Sequence, residues 1–248
     1  MTTVKRSLRL PNVHGVIRRR LLVNFRVPPE IIQRQLPRPF VPKLHNGHAI
    51  AGICLIRLEE IRPKRFPRML GLSSENAAHR IAVEWEQDGE QREGVFIPRR
   101  DTSSRLNTLV GGKLFPGVHH HATFTVREQD DSYRLALDSD DRQTHVLVEG
   151  SASAELPKNS IFESIHHASE FFSKGSLGYS VTARPGRFDG LELRSFNWKV
   201  VPLTINRVES SFFENQTMFP PGSVQFDCAL LMRGINHEWV GRESLCSE

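Results

Sequence analysis

Cysteine is scarce in this chain, with three residues, Cys54, Cys228 and Cys246, spread over 248 positions. An odd and widely spaced set argues against a disulfide framework, and none of the three has the CxxC spacing typical of zinc ligands. Cys54 and Cys228 lie in apolar runs, which predicts buried and unreactive thiols. This usage is typical of a reducing compartment, so we predict a cytoplasmic protein.

Long apolar runs are also missing. None reaches the roughly 18 residues that a membrane helix needs. Residues 1–12 read as a polar arm without the apolar segment of a secretory signal, and we predict no membrane partner. The signatures of serine hydrolases, phosphate-binding loops and dinucleotide-binding folds are absent as well, and no cofactor is expected.

Basic residues exceed acidic ones only modestly, with 33 Lys and Arg against 28 Asp and Glu, for a net charge of +5. Proteins that bind nucleic acids concentrate such charge on one face, whereas each basic cluster here is two or three residues long. A nucleic-acid function would require Arg62–Arg68 and Arg99–Arg100 to form one continuous basic face with exposed aromatic residues. We rank this hypothesis third.

Alternation of apolar and polar residues predicts many strands. The strongest segments are Val16–Val27, Ala49–Leu58, Ser74–Glu86 and Val118–Arg127. Because few helices interrupt them, we predict a single mainly β domain over residues 1–248, built on an antiparallel sheet. The sequence is compatible with a homo-oligomer.

Three short helices are predicted between these strands. The first covers 28–36 and opens on a proline pair, which favours a helix start. The second covers 102–110, with Asp101 as its N-cap. The third covers 161–173 and follows a capping box that begins at Ser160.

Three adjacent histidines open one of the predicted strands. Because side chains alternate along a strand, His119 and His121 should share a face and His120 should point the other way. Two imidazoles do not complete a typical zinc site. A third ligand could come from His79, His145 or His14, but we favour a pair that lines a small-molecule cavity, with solvated histidines as the other alternative.

Glu75 begins a strand in which most residues of the same parity are apolar. The carboxylate is therefore expected to face the interior, where burial raises a carboxyl pKa unless a cation compensates. Such a group can act as a general acid or base. The alternative is a glutamate at a strand end, held in solvent or in a structural ion pair.

Three segments together resemble the acetoacetate decarboxylase-like superfamily, and most closely its YqjF-like branch. They are RRRLLVNFRVPPEIIQRQLPRPF (Arg18–Phe40), GLSSENAAHRIAVEW (Gly71–Trp85) and FPGVHHHA (Phe115–Ala122). The resemblance covers the first half of the chain, and the second half is similar only in the order of its elements. It implies a conical β-barrel with a central ligand cavity.

The resemblance also implies roles for particular residues. A glutamate at the position of Glu75 lies in the family's active-site cavity. Counting back from the Leu-Pro motif places the family's cavity arginine at Arg18, whereas strand alternation favours Arg19. We take Arg18 as the prediction, because a β-bulge near a strand end can shift the parity.

The family's decarboxylases form a Schiff base through a lysine directly after an aromatic-Pro pair. In this sequence Gly117 and Val118 follow Phe115–Pro116, and Lys113 lies four residues upstream of Gly117. We therefore predict that the chain forms no imine with β-keto acids and has no acetoacetate decarboxylase activity.

These inferences predict a cytoplasmic protein whose barrel cavity binds a small organic carboxylate or carbonyl compound. Arg18 would pair with the anionic end, Glu75 would act as acid, base or hydrogen-bond partner, and His119 and His121 would line the wall. The alternative is an enzyme that applies Glu/His acid–base chemistry to such a compound. It requires Glu75 and a histidine to meet in one cleft.

Overall fold

The structure is a computed structural model, which describes residues 12–63, 66, 67, 69, 71–110 and 117–247. Several predicted features lie outside the described residues: the polar arm except Asn12, the Gly111–Gly112 pair predicted to end the second helix, Lys113 and Phe115–Pro116. Strands predominate, and the prediction of a mainly β fold is confirmed. Within the described part of the chain, no helix is both long and apolar enough to cross a membrane.

The strands are longer than the sequence pattern suggested. For example, the segment predicted as Ala49–Leu58 is a strand that runs from His48 to Pro63. The strands are β1 Val13–Val27, β2 Val41–Pro42, β3 Leu44–His45, β4 His48–Pro63, β5 Leu72–Gln87, β6 Glu90–Thr102, β7 His120–Gln129, β8 Ser132–Ser139, β9 His145–Ala152, β10 Leu177–Val181, β11 Arg187–Ser195, β12 Val201–Ser210 and β13 Gln225–Cys246.

Each predicted helix exists, but all three begin later than predicted, the first by one residue and the other two by three and four residues. The helices are α1 Pro29–Gln35, α2 Arg105–Val110 and α3 Ile165–Ser173. Asp101 was the wrong N-cap for α2, because strand β6 extends past it and the Ser104 hydroxyl instead accepts the Asn107 backbone N–H. Ser160 was the wrong N-cap for α3, because its hydroxyl donates to Asp227, while Ser164 caps the helix.

Nine of the described strands close into a ring through backbone hydrogen bonds. Their order around the ring is β6, β7, β8, β9, β12, β13, β1, β4, β5 and back to β6. Most neighbouring strands pair antiparallel, as predicted, and the exceptions among the described strands are the parallel pairings of β6 with β7 and with β10. A parallel pair needs a long crossover connection, and α2 lies in the one between β6 and β7.

The main hydrophobic core fills the space enclosed by the ring. Every one of the nine strands contributes a buried apolar side chain to it, represented by Leu21, Ile53, Ile81, Phe96, Ala122, Leu135, Val146, Leu203 and Leu231. Alternate residues point outward, so Leu22 and Leu230 pack instead against Phe172 of α3. The sheet therefore has an interior face and an outer face, and each face carries its own polar residues.

Candidate functional site

The interior face carries an ion-paired cluster around Glu75. The Glu75 carboxylate accepts a hydrogen bond from Arg19 Nη2 at 2.5 Å, and Arg57 Nη1 lies 3.7 Å away. Arg19 is 1% exposed and Glu75 is 8% exposed. Arg19 also donates to Glu128, which approaches from β7 on the other side of the ring. Glu75 is thus buried, as strand alternation predicted. Its carboxylate is also held in an ion pair, as the alternative interpretation stated.

The structure places Arg19, and not Arg18, beside Glu75. A β-bulge between Ile17 and Arg19 interrupts the pairing of β1 with β4 and leaves Arg18 without a partner in the ladder. The bulge was anticipated, but it acts in the opposite sense, since it turns Arg18 outward into an exposed position. Strand alternation, which favoured Arg19, gave the better prediction.

A second ion-paired cluster on the interior face is centred on Arg99. Arg99 Nη2 lies 2.7 Å from Asp101 Oδ1, and its Nη1 lies 2.8 Å from Asp141 Oδ2. His120 Nδ1 is 3.1 Å from the same Asp141 oxygen. The hydrogen bond from Arg99 holds the pKa of Asp141 well below its usual range. Two carboxylates thus compensate the charge of Arg99, as Glu75 and Glu128 compensate the charge of Arg19.

The outer face of β4, β5 and β6 forms one wall of a cavity of about 260 Å³. Ser74 and Asn76 line it, as does Asp101, whose carboxylate is paired with Arg99, whereas Glu75 on β5 does not. Helix α2 contributes Leu106 and Asn107. Most of the remaining wall is apolar and comes from strands far apart in the sequence: Val13, Ile56, Leu58, Ile61, Leu72, Leu191 and Trp239.

Arg100 is one of two described arginines that line the cavity, and the other, Arg62, is already paired with Glu60 at 3.5 Å. The Arg100 Nε donates to the Ser180 hydroxyl at 2.8 Å, and among the described residues no carboxylate lies within ion-pair distance of Arg100. Burial lowers the pKa of Arg100 to about 10, so the side chain remains charged at neutral pH. A half-buried guanidinium with unused donors is suited to binding a carboxylate from outside the chain.

His119 also lines the cavity. Its Nδ1 lies 3.3 Å from the Gly117 carbonyl oxygen, which can only accept a hydrogen bond, and Nε2 is therefore left as an acceptor. Burial, assisted by the charge of Arg100, lowers the pKa of His119 to about 3. The imidazole is thus neutral at pH 7 and can accept a hydrogen bond from a ligand hydroxyl.

The two predicted wall histidines are separated in the structure. His121 is not among the cavity residues, and its Nδ1 instead lies 2.8 Å from Asp140 Oδ2. The reason is that β7 begins at His120, so His119 precedes the strand and does not follow its alternation. No cluster of three or more His, Cys, Asp or Glu suited to a metal ion occurs in the described part of the chain.

Gly117 occupies the position at which the family resemblance places the imine-forming lysine. Its φ of +87° is rarely adopted by residues with a side chain, and a Cβ added there would lie 2.5 Å from Ser180 Cβ. Ser180 is the same residue that holds Arg100. None of the lysines in the described ranges lines the cavity. Lys113 lies outside those ranges.

The sequence analysis missed Arg100 and the cavity, because it considered Arg99–Arg100 only as part of a possible basic face. Since β6 continues through both residues, alternation sends them to opposite faces of the sheet. Arg99 enters the ring and Arg100 enters the cavity. The β-branched Thr102 was a local signal for a longer strand, whereas Asp101 argued against it.

The comparisons with known proteins agree with this architecture. The family model DUF2071, described as an uncharacterized conserved protein (COG2071), matches residues 16–230. No curated protein matches the sequence.

Several solved structures share the fold at low sequence identity. An acetoacetate decarboxylase from Legionella pneumophila subsp. pneumophila str. Philadelphia 1 aligns with a TM-score of 0.61 and 9% identity, over 98% of this chain and 90% of that one. The enduracididine biosynthesis enzyme MppR, complexed with the condensation product of pyruvate and imidazole 4-carboxaldehyde, gives 0.59 and 12%, over 98% and 92%. An acetoacetate decarboxylase-like enzyme from Sphingomonas wittichii RW1 gives 0.56 and 12%, over 96% and 92%.

Proposed function

Because the chain belongs to the DUF2071 family and to the acetoacetate decarboxylase-like superfamily, we propose that its cavity binds a small organic carboxylate through Arg100. The observation that carries this proposal is the guanidinium itself. It is charged, half-buried and held by a serine, and no described carboxylate neutralises it. The similar enzyme MppR, which has been solved in complex with pyruvate, supports the same ligand class.

The shape of the cavity refines the ligand class. A carboxylate at Arg100 would project its remaining atoms along described walls that are mainly aliphatic and include the Trp239 ring. Such walls favour an alkyl or aryl tail, since each buried methylene contributes about 0.8 kcal/mol. His119 Nε2 would accept a hydrogen bond from a hydroxyl on the ligand. A keto oxygen is itself an acceptor and would form no hydrogen bond with Nε2.

Several broader statements belong to the same proposal. The ring of strands is proposed to be the conical barrel of the superfamily, formed by one domain. The three free cysteines, two of them buried, support a cytoplasmic location. No cofactor is invoked.

An enzyme with Glu/His acid–base chemistry is the second candidate. Glu75 is buried within the ring and would be its acid or base. However, its carboxylate is paired with Arg19 and Arg57, and His119 lies on the other side of the sheet. Because no histidine among the described residues contacts Glu75, the geometry supports a binding protein better than this enzyme.

A ligand screen tests the proposal. Saturation-transfer difference NMR would compare monocarboxylates with alkyl and aryl tails against the matching primary amides. A hydrogen bond to a charged group contributes about 1.5–3 kcal/mol, so the carboxylates should bind at least about tenfold more tightly than the amides. Amides that bind as well as the acids, or no binding by any acid at millimolar concentration, would overturn the proposal.

The absence of imine chemistry needs its own test. The protein would be incubated with acetoacetate and sodium borohydride and then weighed intact. We expect no adduct, since Gly117 occupies the position of the family's lysine and a normal lysine is almost wholly protonated at neutral pH. A stable adduct on any lysine, with release of carbon dioxide, would restore the decarboxylase interpretation.

A further inference from the structure

A buried arginine without a carboxylate partner lies between the sheet and helix α3. Arg80, on the outer face of β5, is 5% exposed. Its Nη2 donates to the Asn24 side-chain oxygen, and its guanidinium lies 5.1 Å from the Phe172 ring centre. Its Nε is buried and has no hydrogen-bond partner. An orphaned donor on a buried cation is costly and calls for an explanation.

Arg80 lines a small cavity between the sheet and α3, and a second arginine, Arg20 of β1, lines the same cavity. The Arg20 Nε–H donates to Cys54 Sγ at 3.2 Å. Among the described residues, neither arginine has a carboxylate within ion-pair distance. The third cation there, Lys43, is already paired with Glu93 at 2.5 Å. Two positive charges therefore face one cavity without a compensating negative charge.

Arg80 remains charged at neutral pH despite its burial. Desolvation, together with the charge of Arg20, lowers the pKa of Arg80 to about 10. A buried cation that faces a second, half-buried cation is unfavourable unless a counter-ion accompanies them. The cavity has a volume of about 20 Å³, and Phe171, Phe172 and Gly175 supply its helix-side wall. That volume admits an ion of roughly the size of a water molecule and excludes an organic ligand.

We propose that Arg20 and Arg80 bind a compact inorganic anion of halide size and thereby hold α3 against the sheet. The site is separate from the carboxylate cavity, since none of the residues around Arg80 lines the cavity that contains Arg100. The proposal therefore does not depend on the proposed function.

Thermal unfolding at constant ionic strength tests it. Sodium gluconate, whose anion is too large for the site, would be replaced stepwise by sodium bromide or sodium chloride. We expect Tm to rise by about 5 °C and to keep rising with the logarithm of the halide concentration, because a ligand that binds only the folded state stabilises it by RT ln(1 + [L]/Kd). Arg80→Gln and Arg20→Gln should each abolish the rise, whereas Arg34→Gln, at an exposed position on α1, should retain it.

A direct measurement covers the case in which the variants fold poorly. Crystals of the unaltered protein soaked in sodium bromide should show an anomalous difference peak between the Arg20 and Arg80 guanidinium groups. A bromide peak at that place together with the rise in Tm supports the site. No peak there, or an unchanged Tm when bromide replaces gluconate, would overturn it.

Discussion

Arg19 and Arg100 occupy the same sheet but opposite faces, and they differ in what surrounds them. Arg19 is enclosed in the ring and is bound by the carboxylates of Glu75 and Glu128. Arg100 lies on the outer face, is bound by the Ser180 hydroxyl and opens into an apolar cavity. An arginine that the chain itself neutralises contributes to the fold. An arginine that the chain leaves without a carboxylate retains the capacity to bind one from solution.

The comparison also shows why burial alone does not identify a binding residue. Arg19 is the more deeply buried of the two, yet its charge is already compensated. Removing one partner of such a buried pair leaves an uncompensated charge, whereas removing a residue that awaits a ligand leaves none. Stability and binding should therefore respond in opposite ways at the two positions.

The largest effect is expected for Arg19→Met. Glu75 would remain buried with only Arg57, 3.7 Å away, as a weaker partner. The free energy of unfolding should fall by about 3 kcal/mol, the lower end of the range for a broken buried pair. Urea denaturation would measure it. Arg18→Met, at an exposed position of the same strand, should change stability by less than about 0.5 kcal/mol.

Adding Glu75→Gln to Arg19→Met should recover part of the loss, since no buried carboxylate then lacks its partner. Equal losses for Arg18→Met and Arg19→Met would show that the Arg19–Glu75 pair contributes nothing to the fold.

Acid should lower the free energy of unfolding through His79, which is buried inside the ring. Burial lowers the pKa of His79 to about 3, whereas an unfolded histidine has a pKa of 6.5. The unfolded state therefore takes up a proton that the folded state refuses. Stability is complete above pH 6.5 and falls by about 1.4 kcal/mol per pH unit between pH 6.5 and 3 for this residue.

Urea denaturation between pH 7 and 4 would measure the slope. His79→Leu should lower the slope by the amount that one proton contributes, about 1.4 kcal/mol per pH unit. His166→Gln, at an exposed position on α3, should leave the slope unchanged. A His79→Leu variant with the original slope would refute the assignment.

Gly117→Ala tests how closely the cavity is built around Arg100. The substitution should cost about 1–3 kcal/mol, because it combines a strained φ with the contact at Ser180. It should also weaken carboxylate binding, since Ser180 positions Arg100. Gly47→Ala is the matched control: its φ of +78° is similar, but nothing lies within 4 Å of the added Cβ. If both substitutions cost the same stability and spare binding, Ser180 has no role in positioning.

The smallest expected effect concerns ligand length. In a series of straight-chain carboxylates, each added methylene should improve the affinity about fourfold until the cavity is filled. Isothermal titration calorimetry of the series would give the increment. An affinity that does not change with chain length would contradict an apolar tail site.

Much of the fold was predictable from local pattern. Alternation identified the strands around Leu21 and Ile81, and it correctly turned Glu75 into the ring. It also favoured Arg19 over Arg18, because the period of two outweighs a count from a distant motif. Helix starts were harder to predict, although Asp101 and Ser160 both have side chains typical of N-caps. Asp101 lies within strand β6, and the Ser160 hydroxyl donates a hydrogen bond to Asp227.

The cavity was not predictable, because it depends on contacts between distant parts of the chain. Ile56 and Trp239 meet in its wall although they lie far apart in the sequence. The closure of the ring through the parallel pairing of β6 with β7 is equally non-local. His119 appeared to belong to a strand, and only the start of β7 at His120 shows that it does not.

The most direct test of the role of Arg100 is a calorimetric comparison of octanoate with octanamide, using the unaltered protein, Arg100→Met and Arg18→Met. The account predicts that the unaltered protein and Arg18→Met bind octanoate at least about tenfold more tightly than octanamide. It also predicts that Arg100→Met loses this preference while unfolding at nearly the same urea concentration. Equal affinities for acid and amide in the unaltered protein, or an undiminished preference in Arg100→Met, would contradict it.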